Sequence, residues 1–234
     1  MTRRVAVLLF DNVEVMDFAG PFEVFGVAGQ REGKHLFDVY TVARESKPVL
    51  ARNNLSINPD YSFRDCPTMD ILVVPGGFGT RREKHNPSVL DFIREHAGQA
   101  ERVLSVCSGA LLLAKAGLLD GLHATTHRGA LTELRVDAPT ANVLQDVRVV
   151  DNGKVVLSAG ISAGIDAALY LVAELQGLEQ AIETATYMEY DWRHHPNAAN
   201  AAIRIAKASS ERTAASERTA APSMESPGLN VTPQ

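Results

Sequence analysis

The sequence predicts a three-layer, doubly wound α/β domain built on a mostly parallel sheet. Three observations carry that expectation. Nearly unbroken apolar runs of strand length stand at 5–10, 71–74 and 102–106, the pattern of strands covered on both faces. Segments of helical length follow each run. Turns rich in glycine and proline separate the two kinds of segment, and such alternation places helices on both faces of a sheet.

In order along the chain, 5–10 is the first strand, and Pro21 is expected to open the helix that comes next, at about 22–29. Residues 37–43 read as a second strand, and 55–63 as a weaker extended stretch broken by Pro59. The strand 71–74 closes on Pro75-Gly76-Gly77-Phe78-Gly79, and Pro87 then starts an amphipathic helix to about His96. The strand 102–106 leads into a helix over 108–119. A short extended piece at 124–126 precedes a helix near 130–135. Residues 147–150 and 154–157 form a hairpin about Asp151-Asn152-Gly153, because Asn-Gly supplies positive φ. Two last helices span 162–175 and 180–190, the first nearly apolar and so buried.

The chain has 234 residues, 45% of them hydrophobic and 22% charged, enough to bury a core without disulfides. A net charge of −5 gives no electrostatic reason to bind nucleic acid or an acidic membrane. No run of eighteen apolar residues is present. The 5–10 run is short for a leader peptide, and Asp11, Glu14 and Asp17 come directly after it, so a cytoplasmic protein is expected. One domain is expected over 1–206. The tail, 207–234, duplicates Ser-Glu-Arg-Thr-Ala-Ala and has too little apolar surface to offset its ordering entropy, so disorder is expected there.

Ligand sites in doubly wound sheets lie beyond the carboxyl ends of strands, and there the sequence places Cys107. Cys107-Ser108-Gly109-Ala110 is a strand-to-helix turn that would expose the thiol, with helix N–H groups favouring the thiolate. A small core cysteine is the competing reading. Gly76 and Gly77, after the neighbouring strand, could bring backbone amides to a developing negative charge or form only a tight turn. Asp17, expected in the loop after the first strand, would have its pKa raised beside a thiolate and could shuttle protons. His127 could pair with the thiol or sit on the surface. His194 and His195 are adjacent and lack partners at ligand spacing, so no metal site is expected. Cys66 lies in a polar loop and reads as incidental.

Val73-Val74-Pro75-Gly76-Gly77, Val106-Cys107-Ser108-Gly109 and Ala124-Thr125-Thr126-His127, in this order, resemble the ThiJ/PfpI superfamily. Its fold is flavodoxin-like, of the class I glutamine amidotransferase type. Asp17-Phe18-Ala19-Gly20-Pro21, the segment from Ser158 to Asp166, and Glu189-Tyr190-Asp191 resemble the isonitrile hydratase branch and the ligand domains of AraC-type regulators. The resemblance implies Cys107 as nucleophile, Asp17 as its acidic partner, Ser108 as the adjacent hydroxyl and Gly77 as an amide facing the site. It also implies a cofactor-free homodimer acting on a small molecule. The PfpI peptidases carry histidine directly after the cysteine, where this chain has Ser108, which disfavours proteolysis. The expected activity is isonitrile hydration. A cofactor-free glyoxalase using His127 and a ligand or redox sensor are the alternatives. Too few residues come after Trp192 for a helix-turn-helix module.

Overall fold

The structure, a computed structural model, describes residues 2–193 and the backbone of a short strand at Ile205–Lys207. In chain order the elements begin with β1 (Arg3–Leu9), α1 (Val15–Val27), β2 (Phe37–Ala43), β3 (Val49–Leu50), β4 (Ser56–Ile57), β5 (Tyr61–Ser62) and β6 (Ile71–Val74). They continue through α2 (Thr80–Glu83), α3 (Pro87–Gln99), β7 (Arg102–Val106), α4 (Gly109–Lys115), β8 (His123–Ala124), α5 (Leu131–Asp137) and β9 (Asn142–Val143). The last are β10 (Val149–Asp151), β11 (Val155–Ser158), α6 (Ala163–Gln176), α7 (Leu178–Tyr187) and β12 (Ile205–Lys207).

The main sheet runs β12-β10-β11-β7-β6-β1-β2-β5. Every pairing in it is parallel except the β10–β11 hairpin, which turns through Gly153 at φ +80°. Val5, Ala6, Val7 and Leu8 of β1 and all of β6 are inaccessible to water, so these central strands are sealed on both faces. Helices α1, α6 and α7 pack together as one layer, and α3, α4 and α5 as the other. This is the doubly wound sandwich expected from the alternation.

From β1 the chain winds to β2 on one side, then returns to β6 and β7 on the other, so the direction reverses between β1 and β6. Ligands of such sheets bind beside that reversal, at the carboxyl ends of the strands. The loops after β1, β6, β7 and β11 all open there.

Two sequence expectations need correction. Helix α1 starts at Val15, and Pro21 lies inside it rather than at its start. Proline cannot donate to the carbonyl four residues back, here that of Asp17, yet the buried face Phe18, Val24 and Phe25 holds the helix through that gap. Asp17 therefore sits in the first turn of a helix, not in a loop. Helix α4 ends at Lys115, well before 119, because Gly117 takes φ +75°. Of the tail expected at 207–234, only Lys207 falls within the described residues, and His194 and His195 lie outside them.

Close packing of α1 on α6 sets the position of Asp17 over the end of β7. A Cβ on Gly20 would stand 2.9 Å from the Ile165 side chain, and one on Gly164 would stand 2.9 Å from Val106. Bulkier residues would push α1 away from the start of α6. Among the described residues, no helix is long and apolar enough to cross a membrane.

Candidate active site

Cys107 comes directly after β7 with φ +58°, a conformation rare for a residue with a side chain. The surroundings enforce it. The Cys107 N–H donates to the Ser158 and Ala159 carbonyls at 3.2 and 3.1 Å. The Cys107 carbonyl accepts from Thr126 Oγ1 at 2.6 Å. A strained residue held by fixed neighbours on both sides is typical of functional turns.

The thiol is not exposed as the sequence led us to expect: Cys107 is only 6% accessible. It lies in the floor of a cavity of about 260 Å³, lined also by Glu14, Phe78, Arg81, Ser108, His127 and Ile161 among others. Cys107 thus borders an open cavity despite its burial.

Asp17 reaches the same point from α1. It is fully buried, and its carboxylate accepts the Gly76 N–H at 3.2 Å and the Ile161 N–H at 3.0 Å. Its side chain also interacts with that of Cys107. Burial pushes the Asp17 carboxyl up to about 7, against the pull of its hydrogen bonds. Burial, then the charge of Asp17, pushes the Cys107 thiol up to about 12. This corrects the expectation of a thiolate favoured by the helix dipole. A dipole end is worth ~0.3–1 kcal/mol, whereas deep burial shifts a pKa by up to ~3–5 units. Desolvation wins. The carboxyl ionises first, and the thiol beside it stays protonated.

The glycine amides are also differently employed than expected. The Gly76 N–H holds Asp17, and the Gly77 N–H donates to Ser108 Oγ at 3.0 Å. Both amides therefore brace the machinery, while Gly77 itself also lines the cavity. Neither position accepts a side chain. A Cβ on Gly76 would lie 2.5 Å from the Ser108 nitrogen, and Gly77 has φ +125°. Buried Thr80 completes the brace, its hydroxyl within 2.8 Å of the Gly77 carbonyl and 3.1 Å of Ser108 Oγ. The Ser108 hydroxyl donates to the Gly77 carbonyl at 3.1 Å, and Ser108 pulls the Cys107 thiol pKa down against the larger push of burial.

His127 lines the same cavity. Its Nδ1 accepts the Gly129 N–H at 3.1 Å, so the neutral ring carries its proton on Nε2 and can donate from there. The structure thus brings together all six residues singled out by sequence: Cys107, Asp17, Ser108, Gly76, Gly77 and His127. Sequence reasoning passes over Ile161, Thr80, Thr126 and Phe78. Ile161 has a usable signal, since it stands after a strand inside a glycine-flanked turn, the same logic that points to Gly76. Two segments notable in the sequence only for their resemblance also meet: Tyr190 donates to Asp166 at 3.0 Å, and Asp166 pairs with Arg148. A larger cleft of about 440 Å³, lined by Arg44, Lys47, Arg82 and others, contains no cysteine, serine or threonine. Among the described residues, no group of three or more His, Cys, Asp or Glu side chains is placed to hold a metal ion.

The DJ-1/PfpI family matches residues 3–174. An isonitrile hydratase of Pseudomonas putida is 38% identical over 191 residues, covering 81% of this chain and 79% of that protein. The HTH-type transcriptional regulator GbdR of Pseudomonas aeruginosa is 28% identical over 187 residues, 80% of this chain but only 50% of the regulator. Among solved structures, a ThiJ/PfpI family protein from Pseudomonas syringae superposes with a TM-score of 0.73 at 32% identity, covering 82% of this chain and 76% of that one. Drosophila melanogaster DJ-1beta shares the fold, with a TM-score of 0.71 at 24% identity over 82% of this chain and all of that one. With the family matched across most of the chain, and relatives whose names span an enzyme and transcriptional regulators, this chain belongs to the DJ-1/PfpI family.

Proposed function

We propose that the protein hydrates an isonitrile, R–N≡C, to the N-substituted formamide, with Cys107 as nucleophile and Asp17 as proton shuttle. The observation that carries this reading is the buried Asp17 carboxyl beside Cys107, with Cys107 itself lining a small cavity. The similarity to an isonitrile hydratase supports it.

The proton inventory is short. Asp17 carboxylate takes the thiol proton as the Cys107 sulfur bonds to the terminal carbon, then returns that proton to the same carbon. The product is a thioimidate, R–N=CH–S–Cys107. Water then adds to this carbon, with the carboxylate accepting one of its protons. Protonation of the nitrogen and cleavage of the C–S bond release R–NH–CHO, and the thiol recovers its proton. One carboxyl poised near neutrality serves both halves. Ser108 steadies the sulfur while it carries charge.

The glyoxalase reading draws less support. It needs His127 to abstract a proton, and the Gly129 N–H occupies the ring nitrogen that would accept one. The test is direct: the purified protein is given an aryl isonitrile and formamide is monitored. Turnover that requires Cys107 is expected, and a wild-type rate no faster than that of Cys107→Ala would sink the proposal. The homodimer is carried as part of the same proposal, checked by light scattering.

A further inference from the structure

We infer that Arg148 is a positioning residue: by bonding Asp166 and Ser162 at once, it holds the loop 159–162 so that the Ile161 N–H reaches the Asp17 carboxylate. The inference rests on the reading of Asp17 as proton shuttle for Cys107.

The loop joins β11 to α6, and the site leans on it from several sides. The Cys107 N–H donates to the Ser158 and Ala159 carbonyls, and the Asp17 carboxylate takes the Ile161 N–H at 3.0 Å. Gly160 lies so close to the His127 ring that a Cβ has no room there. The loop does not keep this shape unaided. Ile161 takes φ +58°, which strains a β-branched residue, and at 37% accessible its side chain is only loosely fixed by packing.

Arg148, directly before β10, supplies the hold. Its carbonyl accepts the Ala159 N–H at 2.9 Å, its Nη2 donates to Ser162 Oγ at 2.9 Å, and its Nε donates to Asp166 Oδ2. One residue thus grips the loop at its start, at its end and on the helix beyond. A guanidinium can do this because its N–H groups fork, whereas an ammonium is a point charge. The anchor is itself fixed: Asp166 is 3% accessible, and its other oxygen accepts the Tyr190 hydroxyl at 3.0 Å. Asp166 and Tyr190, which the reaction scheme leaves unused, acquire a task in this arrangement.

The Ile161 N–H favours the ionised form of Asp17, against the effect of burial. If the loop relaxes and that N–H is withdrawn, the carboxyl keeps its proton to higher pH. The titratable groups around Asp17 are Glu14 at the start of α1, the Cys107 thiol after β7 and, on α6, Asp166 paired with Arg148. Arg81 and His127 line the cavity that Cys107 borders.

The experiment follows alkylation of Cys107 by iodoacetamide against pH in wild type, Arg148→Gln, Arg148→Lys and Ile93→Val. The midpoint near 7 is expected to rise by about one unit in Arg148→Gln, the scale of one lost hydrogen bond to a charged group. Arg148→Lys keeps the charge but not the fork, so its midpoint should also rise. Ile93→Val, a buried change on α3 in the opposite layer, lowers stability and should leave the midpoint in place. By amide NMR, the Ile161 N–H should titrate with the same midpoint in wild type and lose most of that response in Arg148→Gln. With an aryl isonitrile, Arg148→Gln should show a lower kcat at neutral pH and an unchanged KM.

An unmoved midpoint in Arg148→Gln overturns the inference. A wild-type midpoint in Arg148→Lys also overturns it, since charge alone would then be responsible. If Arg148→Gln does not fold, Ser162→Ala at an exposed serine carries the test: a raised midpoint upholds the inference, and an unaltered Ile161 response overturns it. Wild type that turns over no isonitrile, yet whose labelling midpoint depends on Arg148, upholds the inference and overturns the isonitrile reading.

Discussion

Cys66 and Cys107 are both withdrawn from water, and burial raises both thiols. Cys66, half-buried between β5 and β6, donates to the Pro67 carbonyl at 3.4 Å and lies 4.0 Å from the Tyr40 hydroxyl. Neither neighbour is a base at neutral pH. Cys107 is buried more deeply, yet it meets a carboxyl that titrates near 7 and faces a cavity. Depth alone therefore does not separate a structural thiol from a reactive one. What separates them is a proton acceptor within reach and room for an electrophile.

The sharpest way to break this contrast is to remove the acceptor. In Asp17→Asn, iodoacetamide labelling of Cys107 at pH 8 should fall by about 10²–10⁴-fold, the usual worth of a positioned base, while labelling of Cys66 should not change. In wild type the Cys107 rate should climb as pH passes about 7, where Asp17 ionises. The Cys66 rate should keep rising toward its own raised thiol pKa without a step near 7. Indistinguishable profiles at the two residues would show that the carboxyl does nothing for the sulfur.

The same carboxyl has a thermodynamic signature. Its folded pKa of about 7 lies above the ordinary 3.8, so between these values the folded chain keeps a proton that the unfolded chain releases. Stability from this group is fully present below about pH 4 and is lost as pH rises through 7. Wild type should lose on the order of 2–4 kcal/mol from this source between pH 4 and 8. Asp17→Asn should remove that slope, and parallel denaturation curves for the two proteins across that range would contradict the burial argument.

How much of this is legible in the sequence depends on what each feature rests on. Strands β2, β6 and β7 can be read to the residue, since a doubly covered strand announces itself through local composition. The start of α1 is easily misplaced because Pro21 is a strong local signal, whereas the apolar spacing of Val15, Phe18, Phe22 and Phe25 runs straight through it. The site residues stand out because the carboxyl ends of parallel strands converge whatever the sequence. Burial of Cys107 escapes such reading because it comes with α1 packing on α6 through Gly20 and α6 on β7 through Gly164, contacts that no local window contains. The use of the Gly76 and Gly77 amides escapes it for the same reason, as their acceptors lie 59 and 31 residues away.

The bracing can be tested at Gly76. An alanine there would place its Cβ 2.5 Å from the Ser108 nitrogen and 2.8 Å from Asp17 Oδ2, displacing both partners of Cys107 at once. Overpacking of this kind costs about 1–3 kcal/mol. The midpoint of urea denaturation should fall accordingly, and the step near pH 7 in Cys107 labelling should move or vanish. A variant that loses stability but keeps that step would confine Gly76 to a packing role.

The smallest expected effect lies at the other cysteine. Cys66→Ala removes one weak S–H donor, but the Pro67 carbonyl keeps the Tyr40 hydroxyl, which donates to it at 2.9 Å. No polar atom is left without a partner by the change, so the loss is packing of a half-buried sulfur, about 0.5–1 kcal/mol. Formamide production and the labelling profile of Cys107 should be untouched, because nothing at Cys66 reaches the cavity. A Cys66→Ala protein with altered turnover would mean that the two thiols communicate, and the contrast between a base-paired sulfur and an inert one would then be the wrong way to divide them.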